Sequence, residues 1–373
     1  MTDRVVIRAP NHLGDLVMAL PALAAAPEAD VLVARGLVPL LELVPGFGAG
    51  GGVEGAGGGG DASGGAGGGG GGGAAVIRRV IPFDRGARGM LRAAAALRRA
   101  GYARGVLLTP SFSSALAFVL GGVAERRGTA TDGRSALLTE RVSAGALRGL
   151  HRAAAYVALV TGVAPTEAPV PRLAVPPVLR DRWREVAASA GVGGVADGPL
   201  IGIFPGGNAS SRRWDPDRFA AVARRLAGGG ARVVVFGGPA ERSLAAEVAG
   251  DVAVSVAGRT DLRLLAAGLE ACALLVTNDT GPMHLAAAVG TPTVSLQGAS
   301  DPAETRPLGE GHVMLQRPEL PCVPCVRNVC PRRGRGTFLP EAERECLRLI
   351  EAADVVAAVA SAGVHLERER LDG

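Results

Sequence analysis

The chain has 373 residues, 48% hydrophobic and 20% charged, which is enough apolar chain for two domains with full cores and excludes a disordered protein. Aromatic residues make up 3%, too few for the stacking platforms that single-strand nucleic-acid binding needs, so no nucleic-acid partner is expected. Forty Lys and Arg against 35 Asp and Glu leave +5, a mild balance that suits an acidic ligand or an anionic membrane surface and equally accompanies GC-rich coding.

Residues 1–4 lead straight into a strand over residues 5–8, with no secretory leader. Asn11-His12-Leu13-Gly14-Asp15 is a turn, followed by a helix over 16–26 and a strand over 31–33. Residues 46–73 are a glycine-dominated insert that cannot bury a core and reads as a surface loop. The pattern resumes with a strand at 76–81, a basic helix at 88–100, a strand at 105–109 and a helix at 111–120. The apolar run 106–123 is interrupted by Thr109, Pro110 and Ser-Phe-Ser-Ser, too polar for a membrane span. Another strand is expected near Arg126-Arg127-Gly128, then a helix over 144–160. A cytoplasmic protein, at most peripheral on the inner membrane, is expected.

Five prolines between 164 and 177 mark an interdomain linker. Beyond a helix at 179–190, strands at 200–204, 232–236, 252–256, 273–276 and 293–296 alternate with helices at 217–227, 240–248, 261–270 and 285–289. Such alternation implies parallel βαβ units. The expected architecture is α/β, two Rossmann-like domains facing a central cleft. Their expected bounds are 1–175 and 176–350, with a helical tail over 351–373 that crosses back to pack on the first domain.

Three segments of the second half sit where open α/β sheets bind ligands, beyond the carboxyl ends of strands. Pro205-Gly206-Gly207 leads to Ser211-Arg212-Arg213-Trp214, combining close backbone approach with positive charge for phosphate. Gly237-Gly238-Pro239-Ala240-Glu241 offers a carboxylate to a ribose. Thr277-Asn278-Asp279-Thr280-Gly281-Pro282-Met283-His284 is a strand-to-helix turn whose free N–H groups favour an anion. Taken alone it reads equally well as an ordinary capped helix with a surface histidine. Together the three loops read as a nucleotide-diphosphate site. In the first half, Asp15 is either a general base or a helix cap, and spacing alone favours the cap. Cys322-x2-Cys325-x4-Cys330-x15-Cys346 gives four thiols that can hold a structural metal, although the irregular spacing leaves reduced, unliganded cysteines at least as good a reading. Cys272 reads as a buried core residue.

The motif from Arg8 to Met18, the two glycine loops and the turn at 277–284, in that order, resemble glycosyltransferase family 9, the bacterial lipopolysaccharide heptosyltransferases, over nearly the whole chain. The cysteine segment resembles that of many heptosyltransferase II sequences. The resemblance implies the GT-B fold and inverting transfer from a nucleotide-activated sugar, typically ADP-L-glycero-β-D-manno-heptose, to the lipopolysaccharide core, with no cofactor required. It implies Asp15 as the base. On the donor side it implies Arg212 as a phosphate contact, Glu241 as the ribose contact, and Asp279, Thr280, Gly281 and His284 as sugar and diphosphate contacts. Gly206, Gly207, Ser211 and Arg213 complete the donor loop. On the acceptor side it implies Ser111 and Arg134; Ser113 stands where the family often has a basic residue, and Arg126, Arg127 and Arg134, or the basic helix with Arg88, Arg92, Arg98 and Arg99, are candidates to compensate, although that helix reads first as a solvated charged face. Two rival readings keep the site: a GT-B sugar-nucleotide epimerase, and a non-catalytic nucleotide-sugar binding protein.

Overall fold

A computed structural model describes residues 4–46, 52–53, 77–193, 198–331 and 344–364; nearly all of the glycine insert lies outside them. The chain forms two compact units, Met1–Pro169 and Val170–Gly373, so the boundary lies six residues before the expected one.

The first unit contains β1 (Val5–Arg8), α1 (Leu13–Ala24), β2 (Asp30–Ala34), α2 (Val38–Leu41), β3 (Gly52–Val53), β4 (Arg79–Phe83), α3 (Ala87–Ala100), β5 (Arg104–Leu107), α4 (Phe112–Leu120), β6 (Glu125–Thr129), β7 (Glu140–Val142) and α5 (Arg152–Thr161). Its seven strands are ordered β3-β4-β2-β1-β5-β6-β7 and the pairs are parallel. The chain leaves β1 to one side, through β2, and returns to its other side at β5. Loops diverge at that switch point, which is where parallel sheets carry ligands. The helix expected over 144–160 is shorter. Gly149 takes a left-handed φ of 77°, and the helix begins at Arg152, where the His151 ring Nδ1 accepts the Ala153 N–H at 3.2 Å.

The second unit contains α6 (Pro177–Ala190), β8 (Leu200–Phe204), α7 (Pro216–Gly228), β9 (Arg232–Val235), α8 (Arg242–Ala249), β10 (Val254–Ser255), α9 (Leu262–Glu270), β11 (Leu274–Asn278), α10 (Gly281–Ala288), β12 (Thr293–Leu296), α11 (Pro302–Thr305), β13 (His312–Leu315), α12 (Glu345–Arg348) and α13 (Ala352–Ser361). The parallel sheet runs β10-β9-β8-β11-β12-β13, with its switch point between β8 and β11. β8 and β11 are buried throughout, as expected for strands covered on both faces. The terminal helix α13, expected to cross back to the first domain, contributes to the core of the second unit. Its Val355, Val356 and Val359 join Phe219, Val222, Leu274, Val276 and Val294 in the second unit's own core, because its apolar stripe packs against α7 and the sheet. Among the described residues no helix is long and apolar enough to cross a membrane.

Candidate functional site

In the second unit, the ends of β9, β8 and β11 are neighbours, so their three loops meet along one sheet edge. Asn278, the last residue of β11 and fully buried, ties them together. Its Nδ2 donates to Pro205 O at 2.8 Å and Gly206 O at 3.2 Å, while its Oδ1 accepts the Trp214 N–H at 3.0 Å. Trp214 is itself buried edge-on against Phe219, with ring centroids 4.9 Å apart, and its indole N–H donates to Ile350 O at 3.2 Å.

The glycines of the first loop serve this packing. A Cβ on Gly206 would stand 1.8 Å from Glu241 Oε1, and one on Gly207 3.0 Å from Thr280 Cγ2. Glycine here admits neighbouring side chains, which is a firmer reason than the ligand approach expected from sequence. Glu241 Oε2 accepts the Gly238 N–H at 2.7 Å, fixing the carboxylate against Gly206. Thr280 is the N-cap of α10 but makes no side-chain cap bond; Pro282 has no N–H and the Met283 N–H donates to Thr280 O at 3.1 Å, so the first turn offers at most the Gly281 N–H toward the strand ends. His284, a surface residue only on the reading of the turn as an ordinary capped helix, is buried within α10.

Arg212 and Asp279 are brought together: Arg212 Nε lies 3.5 Å from Asp279 Oδ2. Asp279 is buried and the Arg212 side chain is about one-third exposed. Burial pushes the Asp279 carboxyl upward, against Arg212 and a Ser300 hydroxyl bond that draw it down. Two expected donor-loop residues do other work. Ser211 is buried, and its Oγ donates to Arg327 O at 2.5 Å while its N–H donates to Asn328 O at 3.3 Å, anchoring the loop to the cysteine segment. Arg213 Nε donates to Gly207 O at 2.6 Å, closing its own loop.

In the first unit, Asp15 lies in the first turn of α1, where its charge favours the helix N-terminus. It is not the side-chain cap: the N-cap is His12, which makes no cap bond with its ring. Two α5 residues that the sequence did not reveal approach its carboxylate. Tyr156 donates its hydroxyl to Oδ1 at 3.3 Å, and Arg152 Nη1 lies 3.9 Å from the same oxygen. Burial, with the Asp15 charge adding to it, drives the Tyr156 phenol well above its ordinary range, so it remains a donor. The α1–α5 packing that joins these residues carries no sequence signal beyond apolar periodicity. Upstream, buried Arg8 stacks 3.9 Å over Phe83 and donates to Asn11 Oδ1 at 2.5 Å, stiffening the turn before Asp15.

The acceptor-side arginines are consumed internally. Arg134 is fully buried, donating to Thr129 O at 2.9 Å, Thr129 Oγ1 at 3.0 Å and Thr109 O. Arg127 Nε donates to Leu159 O at 2.7 Å at the end of α5 and pairs with Glu140. Burial lowers both guanidinium pKa values. Arg126 is similarly spent on Leu137 O at 2.7 Å and Ala124 O at 2.8 Å. The expectation that these three compensate for Ser113 is not supported: Arg134 is buried, and the half-buried Arg126 and Arg127 spend donors on carbonyls and, for Arg127, on Glu140. Ser111 does stand at the switch-point edge, as the N-cap of α4, with Oγ 2.7 Å from Ser114 Oγ.

Cys322, Cys325, Cys330 and Cys346 line one pocket with Ser211, Gly298 and Arg344. Yet among the described residues no three His, Cys, Asp or Glu side chains are disposed to hold a metal ion, so the four thiols form no ready-made cage. Burial, then the neighbouring cysteines, push Cys346 up to about 11, and burial alone pushes Cys272 up to about 12. Thiolate is the reactive form. Iodoacetamide labelling of native protein, read by peptide mass spectrometry, is expected to leave these two the slowest of the five cysteines. Rapid labelling of Cys346 would contradict the packed geometry.

The profile of glycosyltransferase family 9 (heptosyltransferase) matches residues 90–334, more than half of the chain. The chain belongs to glycosyltransferase family 9. Lipopolysaccharide heptosyltransferase 2 of Escherichia coli K12 is 30% identical over 229 residues, covering 57% of this chain and 64% of the relative. Lipopolysaccharide heptosyltransferase 3 of Escherichia coli is 31% identical over 193 residues, covering 50% and 52%. The chain thus spans less than two thirds of the length of these curated relatives. The solved E. coli ADP-heptose LPS heptosyltransferase II superposes with a TM-score of 0.72 at 22% identity, covering 96% of this chain and 98% of that one. At that identity the match establishes the fold: this family 9 chain has the GT-B architecture, built from its two Rossmann-like units.

Proposed function

We propose that this family 9 chain is an inverting heptosyltransferase that moves heptose from ADP-L-glycero-β-D-manno-heptose to heptosyl-Kdo-lipid A, the lipopolysaccharide inner core, at the membrane surface. The observation that carries the reading is the convergence of Arg212, Glu241 and the N-terminus of α10 on one sheet edge. A cation and the positive end of a helix suit a diphosphate, and a carboxylate suits a ribose. The similar lipopolysaccharide heptosyltransferases support the sugar and the acceptor class.

Asp15 takes the proton from the acceptor hydroxyl, with Tyr156 and Arg152 holding its other oxygen. The freed oxygen attacks the anomeric carbon opposite the diphosphate and the carbon–oxygen bond to ADP breaks. Arg212 and the α10 N-terminus stabilise the charge that develops on the departing phosphate.

The test is turnover of ADP-heptose with heptosylated Kdo-lipid A, followed as ADP release and acceptor mass. One added heptose per ADP released is expected. ADP binding without mass gain would overturn the acceptor, and conversion of the nucleotide sugar without any acceptor would replace transfer with epimerisation.

A further inference from the structure

Asp279 presents a problem for any anion-binding edge. It places a buried carboxylate beside the cation that a diphosphate needs, where burial favours the neutral form. The Arg212–Asp279 pair lacks hydrogen-bond geometry: Arg212 Nε is buried with no hydrogen-bond partner, so charge alone holds it. The side-chain hydrogen bond to Asp279 comes from Ser300, whose Oγ donates to Oδ2.

Ser300 is buried in the loop after β12, one strand over from Asp279. Its carbonyl accepts Gln316 Nε2 at 3.2 Å, from just beyond β13. The Asp279 N–H in turn donates to Leu296 O at 3.3 Å. A line of polar contacts therefore runs across the ends of β13, β12 and β11 and finishes on Arg212.

We propose that Ser300 is a positioning residue of the donor site, holding the ionised Asp279 carboxylate that aims Arg212 at the nucleotide diphosphate. The proposal deepens the reading above and rests on it. A hydrogen bond from a hydroxyl to a carboxylate favours the ionised form. Without it the carboxyl protonates at higher pH, the pair loses its charge, and Arg212 is released. Among the described residues, Arg212 is the charged group that acts on Asp279. His284, on the adjoining α10, is the other titratable side chain of this turn.

The experiment is ADP binding by calorimetry across a pH series on the full chain, with Ser300→Ala, Ser300→Thr and Asp279→Asn. The acid limb of the wild-type binding curve is expected to move up by about one pH unit in Ser300→Ala, the size of an ordinary charge-assisted hydrogen bond. Near that limb ADP affinity falls about tenfold and recovers at high pH, and Ser300→Thr restores the wild-type limb. Asp279→Asn, permanently neutral, binds weakly at every pH. ADP's own ionisation is common to all four proteins and cancels. A limb unmoved in Ser300→Ala, or one that persists in Asp279→Asn and so belongs to His284, overturns the inference while leaving nucleotide binding intact. Wild-type protein that binds no ADP at any pH overturns the donor-site reading, and this inference with it. Thermal melts of the variants separate a shifted limb from a loosened fold, since loss of structure weakens binding at every pH.

Discussion

Replacing Asp15 by Asn is expected to cut heptosyl transfer by about 10²- to 10⁴-fold, the usual worth of a positioned general base, while ADP affinity stays within about twofold. Asn has the size of Asp and still accepts the Tyr156 hydroxyl, so the turn keeps its shape. What is lost is the lone pair that can take a proton. The side chain is 30% exposed, so no buried charge is created or removed and the fold is untouched. Tyr156→Phe is expected to do less, lowering the rate about three- to tenfold, because it removes one hydrogen bond of about 1 kcal/mol from the base and leaves the base itself. Steady-state rates with saturating ADP-heptose and a core acceptor, beside ADP titrations, decide the matter. An Asp15→Asn protein that transfers at the wild-type rate removes Asp15 from the chemistry and leaves it the helix-terminus role that its spacing first suggested.

Much of this molecule was legible in its residues, and the boundary of legibility is physical. Buried parallel strands such as β8 and β11 announce themselves as short apolar runs, and glycine-rich turns beyond them locate the ligand edge. Edge strand β7, Glu-Arg-Val, has two exposed charged residues and no such signature. The meeting of the cation loop with the turn at Asp279 was legible, because both loops follow neighbouring strands of one sheet. Side-chain partners were not legible where the tertiary surroundings decide them. Arg127 and Arg134 have the residue type of anion ligands, but their guanidinium groups are spent on carbonyls of their own unit. Ser211 has the type of a phosphate contact and instead fastens its loop to a segment 116 residues away in sequence. Tyr156 reaches Asp15 across 141 residues, and nothing local to either residue encodes that meeting. Asn278 stood inside the turn motif at 277–284 and still carried no assigned role, because its three partners come from another strand's loop.

That buried amide supports the second large expected effect. Asn278→Ala leaves two carbonyls short of donors and the Trp214 N–H short of an acceptor, with no water-accessible replacement at a fully buried site. Each such group costs roughly 1–3 kcal/mol, and with partial relaxation a loss of about 2–4 kcal/mol of stability is expected. In a domain of this size that lowers the melting temperature by roughly 5–15 °C. Because Pro205, Gly206 and Trp214 bracket Arg212 in sequence, ADP affinity should fall as well, which distinguishes this site from a core position that merely stabilises. Asn278→Asp sharpens the test. It keeps the shape and the acceptor for Trp214 but turns two donors into a lone pair facing the Pro205 and Gly206 carbonyls. It is expected to be at least as damaging as Ala at neutral pH. Acid should recover part of the loss: a buried carboxyl facing carbonyls has its folded-state pKa raised above the unfolded value, so its protonated, donating form is the one the fold prefers as pH falls. Melting curves at two pH values and ADP titrations on both variants read all three consequences. If Asn278→Asp melts and binds ADP like the wild-type protein, the two donor bonds do not hold the loops, and the ordering of the donor edge must be sought in the Trp214 packing instead.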